Sequence, residues 1–263
     1  MSAKRQDRGQ LVGPGVARTI DAPGRTPAVL AVHGFGATPQ QMGTVVEAAQ
    51  SLGLRVRAPM LPGHGTHARD LARTTFADWF GAAQAAFDEL TADGSPALVV
   101  GQSLGGVIAA QLTLSSPGRV LGLGLLATAI RIGKGAELTL RFLDRAHSPD
   151  FMVPKAGADI ADPAARRAQL TYGENPVRAA ISLVRAGMAV EARLPEITCP
   201  VFVAHGRSDH VCPVTNAARI LTTIGSTDKT SLILEKSFHI ITEDYDRAFL
   251  QTELTRFLGR LSR

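Results

Sequence analysis

The sequence predicts an α/β protein: a mostly parallel sheet of six or seven strands with helices on both faces. Three observations carry this reading. Short aliphatic and β-branched runs alternate with longer helical patterns along most of the chain. Several of those runs are continuously apolar, as strands buried on both faces must be. Finally, Gly101-Gln102-Ser103-Leu104-Gly105 stands directly after Ala97-Leu98-Val99-Val100, a glycine-flanked serine where a buried strand should end and a helix begin.

The elements follow in order. Gly15 to Asp21 is an optional edge strand, and Ala28–His33 is the first central one. Thr38-Pro39 reads as an N-cap with proline at the first helical position. Met42, Val45, Ala49 and Leu52 then form an apolar stripe that Gly53 ends. Arg55–Met60 is the next strand, and Phe76, Trp79, Phe80, Ala83 and Phe87 mark a helix. Ala97–Gly101 precedes the serine, and Gly106 to Ala110 open a small-residue helix able to press on a sheet. Leu121–Ala127 is a further strand. From Thr128 to Thr198 no convincing strand appears. Leu138, Phe142, Leu143 and Ala146 suggest an amphipathic helix there. Asn175-Pro176 opens another, with Val177, Ile181, Val184 and Met188 on one face. Loops of that length inside a domain are usually functional. Residues 130–172 are therefore expected to form a small cap, and 176–193 a core helix. Val201–His205 and Ser231–Glu235 complete the sheet. Tyr245, Phe249 and Phe257 mark a last helix whose aromatic stripe is assigned to the core.

Length and composition narrow the class. With 263 residues and 45% apolar content, the chain fits one large domain, 1–263, with a full core. Its charged start lacks the apolar segment of a signal peptide, and the run Val120 to Ile130 is far too short for a membrane span. A cytoplasmic protein is the expectation. The net charge of +5 lies partly at the ends, in Lys4, Arg5, Arg8, Arg256, Arg260 and Arg263. Aromatics are only 5% and do not interleave with the basic residues. This argues against a nucleic-acid platform and for a solvated basic surface, leaving transient contact with anionic membranes open. Cys199 and Cys212 flank opposite ends of one predicted strand, too far apart for a disulfide, and are read as free thiols.

The serine motif sets the chemistry. A sharp strand-to-helix turn pushes the Ser103 hydroxyl out above the sheet edge. The chain there runs so close to itself that glycine is needed at 101 and 105. A serine is a poor nucleophile without a base, and the base needs an orienting group. His239 lies just after the last strand, at the edge where the turn opens, and is the candidate base. Asp209 follows the strand Val201–His205 at the same edge and is the candidate acid. Alone it reads as a turn-forming aspartate, but with Ser103 and His239 the catalytic reading dominates. Glu235 lies within the last strand and is set aside. His205 is read as a packed residue, and His210 as a surface one directed away from Asp209. The negative charge of the reaction needs two fixed N–H donors. Leu104 supplies one, and Phe35 within His33-Gly34-Phe35-Gly36 the other, its ring lining the acyl pocket.

These runs, together with Leu61-Pro62-Gly63-His64-Gly65-Thr66, resemble the α/β-hydrolase superfamily, and within it the bacterial carboxylesterase and monoacylglycerol lipase group. The resemblance spans residues 28 to 258. It implies ester hydrolysis through an acyl-serine intermediate, with Ser103, Asp209 and His239 as triad and no metal or organic cofactor. It makes His64 a structural residue beneath the site. The substrate it implies is a small-molecule ester, a monoacylglycerol or a short-to-medium acyl ester. Too few residues precede Ala28 for the group's usual N-terminal hairpin, so the sheet is expected to be trimmed. Thioesterase, perhydrolase and carbon–carbon hydrolase chemistry share the triad, and a non-catalytic ligand-binding protein shares the fold. Epoxide and haloalkane hydrolases would carry aspartate at position 103. Oligomeric state is not specified by these motifs.

Overall fold

A computed structural model describes residues 7–13, 15–147 and 150–263; Lys4 and Arg5 of the basic start lie outside the described residues. The central sheet contains β1 (Ile20–Ala22), β2 (Arg25–Val32), β3 (Leu54–Ala58), β4 (Ala97–Gln102), β5 (Val120–Leu126), β6 (Val201–Gly206) and β7 (Lys229–Leu234). Their order across the sheet is β7-β6-β5-β4-β2-β3-β1. All neighbours are parallel except β1, which runs antiparallel to β3 at the edge. The trimmed seven-strand sheet is as expected, with the optional edge strand displaced to Ile20–Ala22.

The longer helices are α1 (Gly43–Gln50), α2 (Phe76–Leu90), α3 (Leu104–Ser115), α4 (Lys134–Arg145), α5 (Val177–Arg193), α6 (Thr215–Thr223) and α7 (Arg247–Leu261). Successive strand residues point to opposite faces, which divides the core in two. Leu30, Val32, Val99, Leu123, Leu125, Val201 and Val203 pack with Trp79, Phe87, Ile108, Leu183 and Ile220 on one side. Val29, Ala31, Leu98, Val100, Phe202 and Ala204 pack with Val45, Ala49, Leu250 and Leu254 of α1 and α7 on the other. The strands read as continuous apolar runs because helices cover both faces.

Local signals held where no tertiary contact competed. Asp78 accepts a hydrogen bond from the Thr75 N–H at 2.8 Å and closes a capping box at the start of α2. Pro39 opens a 3₁₀ turn (Pro39–Met42) instead of α1 itself, and that turn carries Gln41 to the Gly34 N–H, 2.8 Å away. The stretch expected to lack strands contains three short ones. Met152–Pro154 pairs antiparallel with Glu174–Pro176, and Thr171–Tyr172 pairs with Leu11–Val12 near the N-terminus. Strands of two or three residues are too short to show alternation, and their partners are supplied by tertiary proximity.

Three aromatic or aliphatic assignments are corrected. Leu138 and Phe142 of α4 are 66% and 71% exposed, so the outer face of that helix carries apolar side chains. Tyr245 and Phe249 are also exposed; Tyr245 precedes α7, which buries Phe257, as expected, together with Leu250, Leu254 and Leu258. Phe76 and Phe80 are only partly buried, stacked on one another at the core margin. Cys199 and Cys212 are free thiols.

Candidate active site

The turn between β4 and α3 holds Ser103 at φ 55° and ψ −114°, a left-handed conformation that L side chains rarely adopt. Close approach on both sides sustains it. A Cβ on Gly101 would lie 2.0 Å from the Gly105 carbonyl oxygen, and one on Gly105 would lie 1.9 Å from that of Val32. The Ser103 N–H donates to Leu126 O at 2.8 Å, tying the turn to β5.

The three side chains singled out from the sequence meet at this turn. His239 Nε2 lies 2.9 Å from Ser103 Oγ, and His239 Nδ1 lies 2.8 Å from Asp209 Oδ2. An ionised carboxylate can only accept, so Nδ1 carries the proton and Nε2 is left to accept from the serine hydroxyl. The main chain of the histidine is anchored from two directions. Gln102 Nε2 donates to His239 O at 3.2 Å, and the His239 N–H donates to Asp159 Oδ2 at 3.2 Å.

Asp209 is fully enclosed and accepts four hydrogen bonds. Its Oδ1 takes the N–H groups of Val211 and Cys212, both at 2.8 Å. Its Oδ2 takes His239 Nδ1 at 2.8 Å and His205 Nε2 at 3.0 Å. Burial alone would push its pKa up. The charge that His239 gains, with the hydrogen bonds from His205 and His239, outweighs burial and holds the carboxyl well below the usual carboxylate range. Asp209 is thus both the turn-forming aspartate and the partner of the base.

His205 is a functional neighbour that sequence reasoning took for simple packing. It is buried, as expected, but its Nε2 also faces the Cys212 carbonyl at 3.1 Å, so this nitrogen donates to two acceptors. Its position at the end of β6, four residues before Asp209, was the available signal. His210 is exposed, as expected, but also lines the cavity mouth and donates through Nδ1 to Asp159 Oδ1 at 2.9 Å. Glu235 forms a surface ion pair with Arg207 at 2.7 Å and takes no part. The buried Cys212 thiol lies against the Ser103 hydroxyl. Burial, with the charges of Asp209 and Asp159, pushes its pKa well up, so it is a neutral thiol there.

Facing the serine is the loop after β2. The Gly34 N–H is held by Gln41 Oε1, while Phe35 N–H has no acceptor among the described residues. Leu104 N–H is the first of α3 and has no partner within that helix. The Phe35 ring packs edge-on against Trp79 and His64, at centroid distances of 5.6 Å and 6.3 Å. His64 and His33 meet edge to face, 4.9 Å apart. Burial pushes the pKa of His33 down to about 3 and that of His64 down to about 4, so both are neutral supports.

Ser103 and His239 open into a cavity of about 620 Å³. Its lining is largely apolar, with Phe35, Ile132, Leu140, Leu143, Val177 and Val184; the stretch from Lys155 to Asn175 adds polar groups, among them Lys155, Asp159, Arg166 and Thr171. Segment 158–162 is clasped to the histidine loop. Asp244 accepts from the N–H groups of Ala161, Asp162 and Phe238 at 2.8, 3.0 and 2.9 Å, and the Ile240 N–H donates to Asp159 O at 3.1 Å.

Comparison with known proteins agrees with this geometry. The family profile described as serine aminopeptidase, S33, matches residues 25–246. The thermostable monoacylglycerol lipase of Bacillus sp. (strain H-257) is 32% identical over 239 residues, covering 88% of this chain and 90% of that protein. The carboxylesterase of Bacillus subtilis (strain 168) is 24% identical over 235 residues, covering 89% and 93%. Among solved structures, one from a study of the metagenome-derived lipolytic enzymes LipS and LipT superposes with a TM-score of 0.86 at 31% identity, covering 95% of this chain and 99% of that one.

Proposed function

The chain belongs to the serine aminopeptidase S33 family of α/β-hydrolases and is an ester-cleaving serine hydrolase; from that premise we propose that it acts on lipophilic esters, monoacylglycerols or short-to-medium acyl esters, with Ser103, His239 and Asp209 as its catalytic triad. The observation that carries this assignment is the continuous chain Ser103 Oγ–His239–Asp209, with links of 2.9 Å and 2.8 Å, at the mouth of a cavity with a largely apolar lining.

The mechanism follows from the proton positions. His239 Nε2 takes the serine proton as Oγ attacks the ester carbonyl, and Asp209 stabilises the imidazolium that forms. The tetrahedral oxyanion is received by the N–H groups of Phe35 and Leu104. His239 then returns the proton to the leaving alcohol, and water attacks the acyl-serine by the same route. Residues 130–172 act as a cap: α4 supplies Leu140 and Leu143 to the acyl wall, and segment 158–162 braces the histidine loop. Among the apolar residues of this region, Leu143, Phe151 and Val153 line the cavity. Met152 packs against the core, and Leu138 and Phe142 face outward.

The family description names a peptidase, and the cavity favours the ester reading. An aminopeptidase needs a free carboxylate for the substrate's amino terminus, whereas Asp159, the carboxylate lining this cavity among the described residues, is already bound to His210 and two main-chain N–H groups. No helix among the described residues is long and apolar enough to cross a membrane, and we place the enzyme in the cytoplasm. The test is hydrolysis of nitrophenyl esters of increasing chain length, beside monoacylglycerols, acyl-thioesters and amino-terminal peptides. Ester turnover that peaks at a medium chain is expected; faster cleavage of thioesters or peptides would overturn the assignment.

A further inference from the structure

We propose that Lys155 binds an anionic substituent, a phosphate or a carboxylate, on the alcohol part of the substrate, so that the cavity selects esters joining an apolar acyl chain to a charged alcohol. This rests on the ester-hydrolase reading above and names the class of alcohol it takes.

Lys155 follows the short strand Met152–Pro154 and lines the cavity that holds Ser103 and His239. A lysine on such a segment ordinarily extends its ammonium to water. Here Nζ turns inward and donates to Thr171 Oγ1 at 2.8 Å, and that hydroxyl donates to Gly36 O at 3.3 Å. The ammonium is therefore tethered beside the loop that carries Phe35, in the cavity that Ser103 also lines. Among the described residues, one of its three donors is taken. Among the described residues no carboxylate reaches ion-pair distance of Nζ. Burial pushes its pKa down to about 8, opposed by the charge of Asp159.

The other titratable groups of the cavity do not neutralise it. They are Asp159, Arg166, His210, Cys212, whose buried thiol is neutral, and His239. Asp159 is occupied by His210 and the His239 N–H. Arg166 adds a second cation, its guanidinium donating to Ala156 O at 2.9 Å. The polar stretch thus carries positive charge without a free counter-charge, an arrangement that an incoming oxyanion relieves. The apolar lining residues Ile132, Leu140, Leu143 and Val184 suit the acyl chain, which leaves the polar stretch around Lys155 to the alcohol.

The experiment compares octanoylglycerol with octanoylglycerol phosphate, following octanoate release by the wild-type enzyme, Lys155→Met and Lys155→Arg. Lys155→Met is expected to lower kcat/KM for the phosphate ester by about tenfold to a hundredfold, the range for a lost hydrogen bond to a charged group, and to leave octanoylglycerol within about twofold. Lys155→Arg is expected to retain the phosphate ester. A parallel loss on both esters would assign Lys155 to bracing Thr171 and Gly36 and overturn the proposal; so would no loss on either. Mono-nitrophenyl adipate tests the acyl side: selectivity confined to that ester would put the anion on the wrong arm and refute the assignment. Should Lys155→Met fail to fold, the wild-type enzyme still decides. Competitive inhibition of octanoylglycerol hydrolysis by glycerol phosphate but not by glycerol is expected, and equal inhibition by the two overturns it. An enzyme that hydrolyses neither octanoyl ester would instead remove the ester-hydrolase reading itself, and this proposal with it.

Discussion

Replacing Asp209 by asparagine tests the site most sharply, because the structure dictates which way the amide must turn. Asp209 accepts two main-chain N–H groups at Oδ1 and two imidazole nitrogens at Oδ2. An amide has one accepting oxygen and one donating NH2 group. With the NH2 toward Val211 and Cys212, two fixed N–H donors would meet a donor at 2.8 Å, and neither can rotate away. The oxygen therefore keeps the main-chain side, and the NH2 faces His239 Nδ1. That nitrogen must then accept, which moves the ring proton to Nε2 and leaves no base for Ser103. The expected cost is about 10⁴ in kcat, the size of effect a wrong imidazole tautomer produces. KM should change little, since Asp209 does not touch the substrate. Stability should fall by about 1–3 kcal/mol, because His205 Nε2 loses one of its two acceptors. Steady-state hydrolysis of a nitrophenyl ester, alongside thermal unfolding followed by circular dichroism, measures both. A folded Asp209→Asn enzyme retaining kcat within tenfold of wild type would refute the tautomer argument and the role given to Asp209.

Further outcomes follow from the same structure. A serine-directed sulfonyl fluoride should label Ser103 once, and Ser103→Ala should abolish labelling and lower turnover by several orders of magnitude while the protein stays folded; an adduct mapped to any other residue contradicts the nucleophile. Leu143→Ala or Phe151→Ala should shift the preferred acyl length, because each buried methylene contributes about 0.8 kcal/mol, whereas Phe142→Ala, on the outward face of α4, should not; kcat/KM across a nitrophenyl ester series decides. Glu243, beside Glu47 and Arg247, has its carboxyl pushed up to about 7, chiefly by burial. A raised folded pKa means that stability is full below the ordinary glutamate value of about 4.3 and is lost as pH climbs through about 7. Glu243→Gln should therefore be more stable than wild type at pH 8, by about 1–2 kcal/mol, and equally stable at pH 4; a lower melting temperature than wild type at pH 8 would reverse the sign.

What the sequence by itself determined is whatever short-range chemistry decides. Continuous apolar runs could only be strands covered on both faces. Gly101 and Gly105 could only flank a turn too tight for a Cβ, and a serine, an aspartate and a histidine that each follow a strand of a parallel sheet must emerge at one edge of it. That much brings Ser103, Asp209 and His239 to one edge of the sheet. The tertiary structure alone decided features in which the partner lies far along the chain. His205 looked like packing until the turn after β6 folded Asp209 back onto its Nε2. Two- and three-residue strands near Met152 and Thr171 became strands only because Glu174 and Leu11 were brought beside them. Leu138 and Phe142 showed the helical spacing of a buried stripe, yet the other face of α4 reached the cavity, since periodicity reports which residues share a face and not what that face meets. Lys155 carried no signal in a sequence with many cations, and only the pull of Thr171 Oγ1 turned its charge inward, toward the site.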